Sequence, residues 1–135
     1  MDGHAKTSTV LDSITVLDSM GIKTKIFFLG RTKKNDWKCS AFTLVFERHG
    51  TMISFPYFMG TGCKGEPDPL EALASVARDG KEAQESIWED FADNFGYDPD
   101  SRKAKKIYEE CKNLGVLVAT LLTRAEMETL AKMEF

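Results

Sequence analysis

An alternation of apolar and polar residues around a His-Gly pair is the feature that most constrains the fold. The segment is FTLVFERHGTMISFPYF, residues 42–58. Gly accepts positive φ freely and His tolerates it better than most residues, so His49-Gly50 suits a two-residue hairpin loop. That loop fixes three cross-strand pairs, Phe46 with Ile53, Leu44 with Phe55 and Phe42 with Tyr57. Because side chains alternate with period two, all six are expected on one face.

The rest of the segment extends this hairpin into a three-stranded sheet. The opposite face carries a mixed set that is expected to be partly solvated: Thr43, Val45, Glu47, Met52 and Ser54. Pro56 lacks an amide hydrogen, which favours an edge strand or a bulge for the third strand. Residues 22–30 (IKTKIFFLG) form the predicted first strand, and RTKKND is the predicted linker to Trp37. An antiparallel meander is therefore expected over residues 22–62.

Helical signals follow the sheet, and two of the predicted helices begin with the same Asp-Pro pair. Asp68 is a suitable N-cap and Pro69 a suitable first helical residue, because its missing amide hydrogen is not needed there. This helix is predicted to end at Gly80. Asp98 and Pro99 form a second N-cap and first-residue pair of this kind. The apolar residues after them have helical spacing, which predicts one long helix that runs through Gly115.

Two four-residue strings have the composition of a capping box, in which a Ser or Thr cap and a Glu three residues later exchange hydrogen bonds with the backbone. SIWE (Ser86 to Glu89) predicts a short helix with an apolar stripe that ends at Gly96. The stripe consists of Ile87, Trp88, Phe91 and Phe95. TRAE (Thr123 to Glu126) predicts a last short helix, whose inward residues are Met127, Leu130 and Ala131.

These elements predict an α+β fold, a three-stranded antiparallel β-meander packed against a C-terminal set of three to four helices. A length of 135 residues with 42% hydrophobic residues favours one domain over 1–135. Residues 1–21 are expected to be an N-terminal arm or a short helix, 22–62 the meander and 68–135 the helical part.

Charge is nearly balanced overall but unevenly placed. The 18 Lys and Arg against 21 Asp and Glu give a net charge of -3, which argues against strong non-specific attraction to nucleic acid or anionic membrane. Between Asp79 and Asp100 there are eight acidic residues and one basic residue, Lys81. From Lys23 to Arg48 there are seven basic residues and two acidic ones. Basic residues are therefore concentrated in residues 23–48 and acidic residues in residues 79–100.

Location is inferred from the cysteines and the N-terminus. Three cysteines without a C-x-x-C pair, together with an N-terminus that has no apolar signal-peptide core, favour the cytosol. The longest apolar run, GVLVATLL, is far shorter than the ~20 residues that a membrane-spanning helix needs.

The catalytic and metal motifs are weak. The segment around Gly96 does not supply the ligand series of an EF-hand loop. The string GTGCKG (Gly60 to Gly65) matches G-x-G-x-x-G, but it follows an antiparallel meander instead of lying in a parallel βαβ unit. His4 and His49 are poorly placed to act as general bases, and Cys39, Cys63 and Cys111 lack the short spacing of zinc ligands. We therefore expect no enzyme activity, cofactor or metal.

Two charged sets are candidate binding residues. Four acidic residues follow one side of the helical path at offsets of three, seven and eleven, opposite the apolar stripe: Glu82, Glu85, Glu89 and Asp93. Like charges at such spacing cost stability, so a partner with a basic surface is a reason for their presence. The alternative is nucleic-acid binding by basic residues after a glycine-bearing turn, as in a helix-turn-helix. These residues are Arg102, Lys103, Lys105 and Lys106.

A longer block of sequence resembles a known family. The segments WKCSAFTLVFERHGTMISFPYFMGTG, DPLEALASVARDG and SIWEDFADNFGYDPDSRKAKKIYEEC, with the Leu-rich end that closes on KMEF, are similar to a family of small uncharacterised proteins of tailed phages and prophages. The resemblance covers residues 37–135, and FGYDPDSRKA with the following IY and C is its most specific part. The family carries no catalytic residues over to this chain.

The resemblance implies a phage origin, and a recurring role of small accessory phage proteins is to block a host defence. The leading hypothesis is therefore a non-enzymatic protein that binds and inhibits a host defence protein or ribonucleoprotein, with an anti-CRISPR role as its most concrete form. The alternative hypothesis is a nucleic-acid-binding accessory or regulatory protein. The amino-acid sequence does not indicate an oligomeric state.

Overall fold

A computed structural model describes residues 12–34, 37–60 and 65–133. The chain forms two compact units, whose boundary falls between Ala72 and Leu73. In the described residues there are three strands and five helices, so the predicted class, a three-stranded antiparallel sheet followed by helices, is confirmed. The helices are α1 (12–19), α2 (Pro69–Glu85), α3 (Trp88–Phe95), α4 (Arg102–Ala119) and α5 (Arg124–Ala131). The strands are β1 (Lys23–Lys34), β2 (Trp37–Arg48) and β3 (Thr51–Gly60).

Helix α1 precedes the sheet and ends at a glycine. Gly21 has a φ of 79°, and the Ile22 amide donates to the Leu17 carbonyl oxygen at 2.9 Å. This pattern closes the last turn of the helix and directs the chain into β1. Leu17 and Ile22 are fully buried. The predicted arm or short helix is thus a helix over 12–19, and residues 1–11 lie outside the described part of the chain.

The predicted hairpin register is confirmed. His49 and Gly50 have φ values of 52° and 80°, the pair of positive φ angles that a type I′ loop requires. The three cross-strand pairs of the sequence prediction are all present. Five of the six residues are buried and the sixth, Tyr57, is half-buried, while the opposite face is half-buried or exposed. Alternation and one turn were sufficient to fix this register.

The first strand is longer than predicted. Arg31–Lys34, predicted as linker, pair with Trp37–Ser40 and belong to β1. The pairing shifts by one residue between Phe28 and Gly30, which leaves Leu29 in a β-bulge. The prediction was wrong because β2 begins at Trp37 and offers backbone partners to these polar residues. Strand β3, which contains Pro56, is an edge strand as predicted, because the sheet order is β1-β2-β3.

Helix α2 begins as predicted but does not end at Gly80. Asp68 Oδ1 accepts from the Leu70 amide at 3.0 Å and from the Glu71 amide at 3.2 Å. The helix continues through Gly80 to Glu85. Gly80 is buried, and a Cβ built on it would lie 2.5 Å from the Cα of Gly115 on α4. The glycine therefore marks a close approach of two helices and not a helix end.

The starts of α3 and α4 differ from their predictions. Helix α3 has Ile87 as its N-cap with no side-chain hydrogen bond, so the predicted SIWE capping box is wrong. Helix α4 is capped by Ser101, whose Oγ accepts from the Ala104 amide at 3.1 Å, and not by Asp98. Asp98 Oδ1 instead accepts from the Asp100 amide and forms a local turn. The segment before α4 thus offered two capping side chains, of which Ser101 is the one used, whereas no side chain caps α3.

Other predictions for the helices are confirmed. Gly96 ends α3 with a φ of 71°, and α4 runs through Gly115 without a break. The capping box of α5 is complete: the Glu126 amide donates to Thr123 Oγ1 at 3.2 Å, and the Thr123 amide donates to Glu126 Oε1 at 2.8 Å. Arg78 of α2 donates to the Ala131 and Met133 carbonyl oxygens, both at 3.1 Å, which holds the end of α5.

Candidate interaction surface

An aromatic cluster fixes helix α3 in the second unit. Phe91 and Ala83 are buried there with Tyr108, whose hydroxyl donates to the Ser86 carbonyl oxygen at 2.8 Å. The Phe91 ring centroid lies 4.9 Å from that of Tyr108 and 4.5 Å from that of Phe95. This cluster decides which side of α3 is buried and therefore which side meets solvent.

The predicted acidic stripe is not on one helical path. Helix α2 ends at Glu85 and α3 begins at Trp88, so two of the four residues lie on each helix. Asn94 Nδ2 donates to Glu82 Oε1 at 2.9 Å. In one straight helix residues 12 apart would be separated by about 18 Å, so α3 turns back toward α2. The single helical path is thus wrong, and its cause is the break at Ser86 and Ile87.

Glu82 and Glu85 have partners within the protein. The Glu82 carboxylate accepts the Asn94 hydrogen bond, and the Ser86 hydroxyl lies 3.5 Å from the same oxygen. Glu85 forms an exposed ion pair with Lys81, with an N to O distance of 3.9 Å. Glu82 is therefore used to join α2 and α3, and the charge of Glu85 is partly balanced.

Glu89 and Asp93 remain available on α3, together with Asp90. All three side chains are exposed, and in the described part of the chain their carboxylates form no ion pair or hydrogen bond. At 3.6 residues per turn they share the side of α3 opposite Phe91 and Ala92, the two residues that are buried. We call Glu89, Asp90 and Asp93 the acidic face.

The acidic face has an internal electrostatic cost. Glu89 and Asp90 lie in the first turn of α3, where the helix dipole favours negative charge. Asp93 lies near the other end and four residues from Glu89, a spacing at which like charges repel by about 0.2–0.5 kcal/mol. Two exposed apolar residues flank the face, Ile87 before α3 and Phe95 at its end. Sequence reasoning missed Asp90, which the helical spacing around Phe91 could have indicated.

The four basic residues of the alternative hypothesis open helix α4. All are exposed, and in the described residues none of them forms an ion pair: Arg102, Lys103, Lys105 and Lys106. Arg102, Lys103 and Lys106 lie on the side of the helix opposite Ala104 and Tyr108, which are buried, and Lys105 lies at the border of that side. Asp98 and Asp100 immediately precede this helix and are exposed. The basic residues thus form one surface with negative charge at its start.

A groove in the second unit has a volume of about 420 Å³. Its lining includes the apolar residues Leu122 and Met127. Two ion pairs between residues four apart lie at its rim, Lys81 with Glu85 and Arg124 with Glu128. The charged groups are therefore matched within the protein, and the groove presents no unpaired charge to select a ligand.

The catalytic and metal candidates gain no site from the fold. Within 12–34, 37–60 and 65–133 there is no group of three His, Cys, Asp or Glu placed to hold a metal ion. Burial raises the pKa of Cys111 to about 11, with added repulsion from Asp79 and Glu110, so its thiol is poorly suited to act as a nucleophile. His49 is at the exposed tip of the hairpin. His4, Cys63 and most of the GTGCKG string lie outside the described residues.

No family model, curated protein or solved structure matches this chain in the three comparisons made. Among the described helices, none combines the length and the apolar character that a bilayer crossing demands.

Proposed function

We propose that this protein is a non-enzymatic binding protein of the phage or prophage type, which blocks a host defence protein or ribonucleoprotein through the acidic face of α3. The observation that carries the proposal is the set of three exposed carboxylates without intramolecular partners, opposite the aromatic cluster that fixes the helix. Their mutual repulsion lowers helix stability, and a basic partner surface would relieve it. An anti-CRISPR role is its most concrete form.

The partner chemistry follows from the charge and shape of this surface. A nucleic-acid channel of a defence complex is lined by Lys and Arg, which neutralise phosphates. Carboxylates at successive helical positions offer the same basic groups an alternative set of oxygen acceptors. Ile87 and Phe95 at the ends of α3 add apolar contact area beside the charges. The predicted complex is therefore steered by charge and weakened by salt.

The test is a charge reversal with a matched control. Glu89→Lys, Asp90→Lys and Asp93→Lys are combined in one variant, and Glu71→Lys, Glu109→Lys and Glu110→Lys in a control with the same change in net charge. All six residues are exposed. Each tagged protein is used to capture partners from nuclease-treated host lysate, and is expressed in cells whose CRISPR–Cas system targets an infecting phage.

Only the α3 variant is expected to lose the captured partner and the protection of the phage. Its melting temperature should fall only slightly, because the three positions are exposed but Lys in the first turn opposes the helix dipole. Protection by the α3 variant at the wild-type level would contradict the mechanism. Wild-type protein that captures no host protein and protects no phage in any host with an active defence would contradict the function itself.

Nucleic-acid binding is the second candidate, because four exposed basic residues share one side of α4. Arg102, Lys103, Lys105 and Lys106 are replaced together by Ala, and binding of a labelled duplex is followed by fluorescence anisotropy over a range of salt concentrations. The slope of log affinity against log salt is expected to flatten by about 0.9 for each phosphate that the variant no longer neutralises. No duplex binding by the wild type at low salt would remove this candidate.

A further inference from the structure

The outer edge of strand β1 is a surface that neither candidate function uses. The sheet order is β1-β2-β3, so β1 hydrogen-bonds to β2 on one side only within the described residues. The strand is 12 residues long. Long edge strands expose a row of backbone donors and acceptors to which another extended chain can pair.

Three consecutive apolar side chains on this strand are exposed. Phe27, Phe28 and Leu29 have 49%, 62% and 65% of their surface accessible. Phe28 lies on the same face as Phe42, and the centroids of the two rings are 5.4 Å apart. Phe42 is 6% exposed, so the buried face of the sheet ends at Phe28, and an added strand would continue it.

The charge of β1 has one sign. Its described side chains include four exposed cations and no acid: Lys23, Lys25, Arg31 and Lys33. The bulge at Leu29 changes the face on which they lie. Lys23 and Lys25 share the face of Phe27, whereas Arg31 and Lys33 pair with Ser40 and Lys38 and share the face of Phe42. Cations therefore flank the apolar centre along the strand, on one face before the bulge and on the other after it.

A second copy of this chain does not suit the edge. Antiparallel pairing of two β1 strands about Phe28 would bring Lys23 and Lys25 of one copy alongside Arg31 and Lys33 of the other. Parallel pairing would place the same cations at the same levels along the two strands. Either arrangement gathers the exposed cations of both copies with no acid among the described side chains of β1. Like charges repel, so an occupant of opposite charge fits the edge better.

Single-stranded nucleic acid carries that charge but fits the side chains less well. Proteins that bind it stack successive bases on aromatic rings along one groove. Phe27 and Phe28 are consecutive in a strand, so their rings lie on opposite faces of the sheet. An extended peptide has the same period of two and can contact both faces at once.

We propose that the outer edge of β1 binds an extended acidic peptide segment of a partner protein by strand addition. The peptide backbone pairs with β1, an apolar side chain at its centre covers Phe28 and Leu29, and carboxylates on either side meet the four cations. This inference rests on the sheet alone and is independent of the acidic face of α3.

The test measures binding of labelled ten-residue peptides to the full chain by fluorescence anisotropy at low salt. The first peptide has Val at its two central positions and Glu at all others, so that carboxylates reach both faces on either side of the centre. A second has Lys in place of each Glu, and a third is the acidic peptide with three consecutive central residues replaced by Pro. A ten-nucleotide oligo(dT) is the fourth probe. Only the first is expected to bind, because the second has the wrong charge and the third lacks amide hydrogens for the ladder.

Variants of the protein locate the binding. Phe28→Ser is expected to weaken binding of the acidic peptide roughly tenfold or more, because the central side chain of the peptide then has no apolar ring to cover. Met52→Ser is the control, since Met52 is also 62% exposed but lies on β3. Lys25→Glu with Arg31→Glu should abolish binding, and Lys112→Glu with Lys132→Glu should not. Melting curves establish that each variant is folded.

The inference is overturned if the acidic peptide does not bind saturably, or if the proline peptide binds equally well, since strand addition would then be absent. Binding of oligo(dT) in preference to the acidic peptide would replace it with a nucleic-acid site. Equal loss in the Met52→Ser and Phe28→Ser variants would place the peptide elsewhere.

Discussion

The sheet and the helical unit differ in how far apart in sequence their decisive contacts are. In the β2–β3 hairpin, Phe46 pairs with Ile53 across a two-residue loop, and the pattern that sets the register lies in one short segment. In the helical unit, Gly80 meets Gly115, and Arg78 bonds to residues 53 and 55 positions away. Local patterns therefore determine the hairpin, whereas contacts between residues far apart in sequence determine where α2 meets α4 and what holds the end of α5.

The two regions also differ in charge. Strand β1 carries exposed cations, and α3 carries exposed carboxylates without intramolecular partners in the described residues. These are the two surfaces to which partners of opposite charge are proposed to bind. Four measurements of stability would test the comparison between local and distant control.

The largest effect is expected at the centre of the hairpin. Leu44 is fully buried, so Leu44→Ala should lower the free energy of unfolding by about 2–5 kcal/mol through reduced transfer energy and a cavity. Thr43→Ala, one residue away on the half-buried opposite face, is the control and should have a mild effect. Chemical denaturation measures both. Equal losses for the two variants would mean that alternation does not define the inner face.

Because α2 and α4 approach closely at Gly80, we expect Gly→Ala at this position to change the free energy of unfolding in the opposite direction from an ordinary helix position. In an ordinary helix interior Gly→Ala stabilises by about 1 kcal/mol. At Gly80 the new Cβ would meet the backbone of Gly115 at 2.5 Å, so the helices must move apart. Gly80→Ala should therefore destabilise the protein by about 1–3 kcal/mol.

Asn113→Ala is the control for this change, because Asn113 is exposed in α4 and gains only helix propensity. It should be neutral or slightly stabilising in the same denaturation experiment. A stabilising Gly80→Ala would show that the two helices do not need the glycine contact, and Gly80 would then be an ordinary weak point in α2.

The two strings of capping-box composition should respond differently to the same substitution. Thr123→Ala removes an observed cap of α5 and should cost about 0.5–2 kcal/mol. Ser86→Ala should cost less, because Ser86 does not cap α3 and its hydroxyl makes only a long contact of 3.5 Å with Glu82. Thermal melting of the two variants gives the comparison, and a larger loss for Ser86→Ala would contradict the observed caps.

The smallest effect is electrostatic and depends on pH. Burial raises the pKa of Asp79 above its ordinary value, Arg78 opposes the rise and Glu82 adds to it. A raised pKa in the folded state means that the protonated form is favoured there, so stability is lost as the pH rises through that pKa. Asp79→Asn should therefore stabilise the protein at pH 7.

The gain from Asp79→Asn should shrink as the pH falls through the raised pKa of the folded state, and it should be absent below the ordinary pKa of 3.8, where the wild-type carboxyl is neutral in both states. Urea denaturation at neutral and acidic pH measures the difference between the two proteins. A gain that stays constant with pH would show that the substitution acts by another route, such as a new hydrogen bond.

Much of the fold could be predicted where one segment contained both the signal and its partner. The hairpin register, the cap at Asp68, the end of α3 at Gly96 and the capping box of α5 are of this kind. The candidate site was predicted only in part. Glu89 and Asp93 are exposed on one helix face, but Glu82 is used in a contact with Asn94 that the spacing did not indicate.

The wrong predictions of helix caps and helix ends share one cause: a residue that suits one local role is used in another. Ser86 and Asp98 are good caps by residue type, but Ser86 supplies its carbonyl oxygen to Tyr108 and Asp98 closes a turn. Gly80 is a good helix end by residue type, but its missing side chain is needed for the contact with Gly115. Local preferences differ by about 1 kcal/mol, which is small enough for a tertiary contact to reverse.

By itself, the sequence determined the three-stranded sheet, its hairpin register and the presence of helices after it, because side-chain alternation and turn chemistry act between close neighbours. The folded chain was needed to locate the break between α2 and α3, the contact of Gly80 with Gly115 and the three residues of the acidic face. These depend on which surfaces are buried together, and burial is set by packing between residues far apart in the chain.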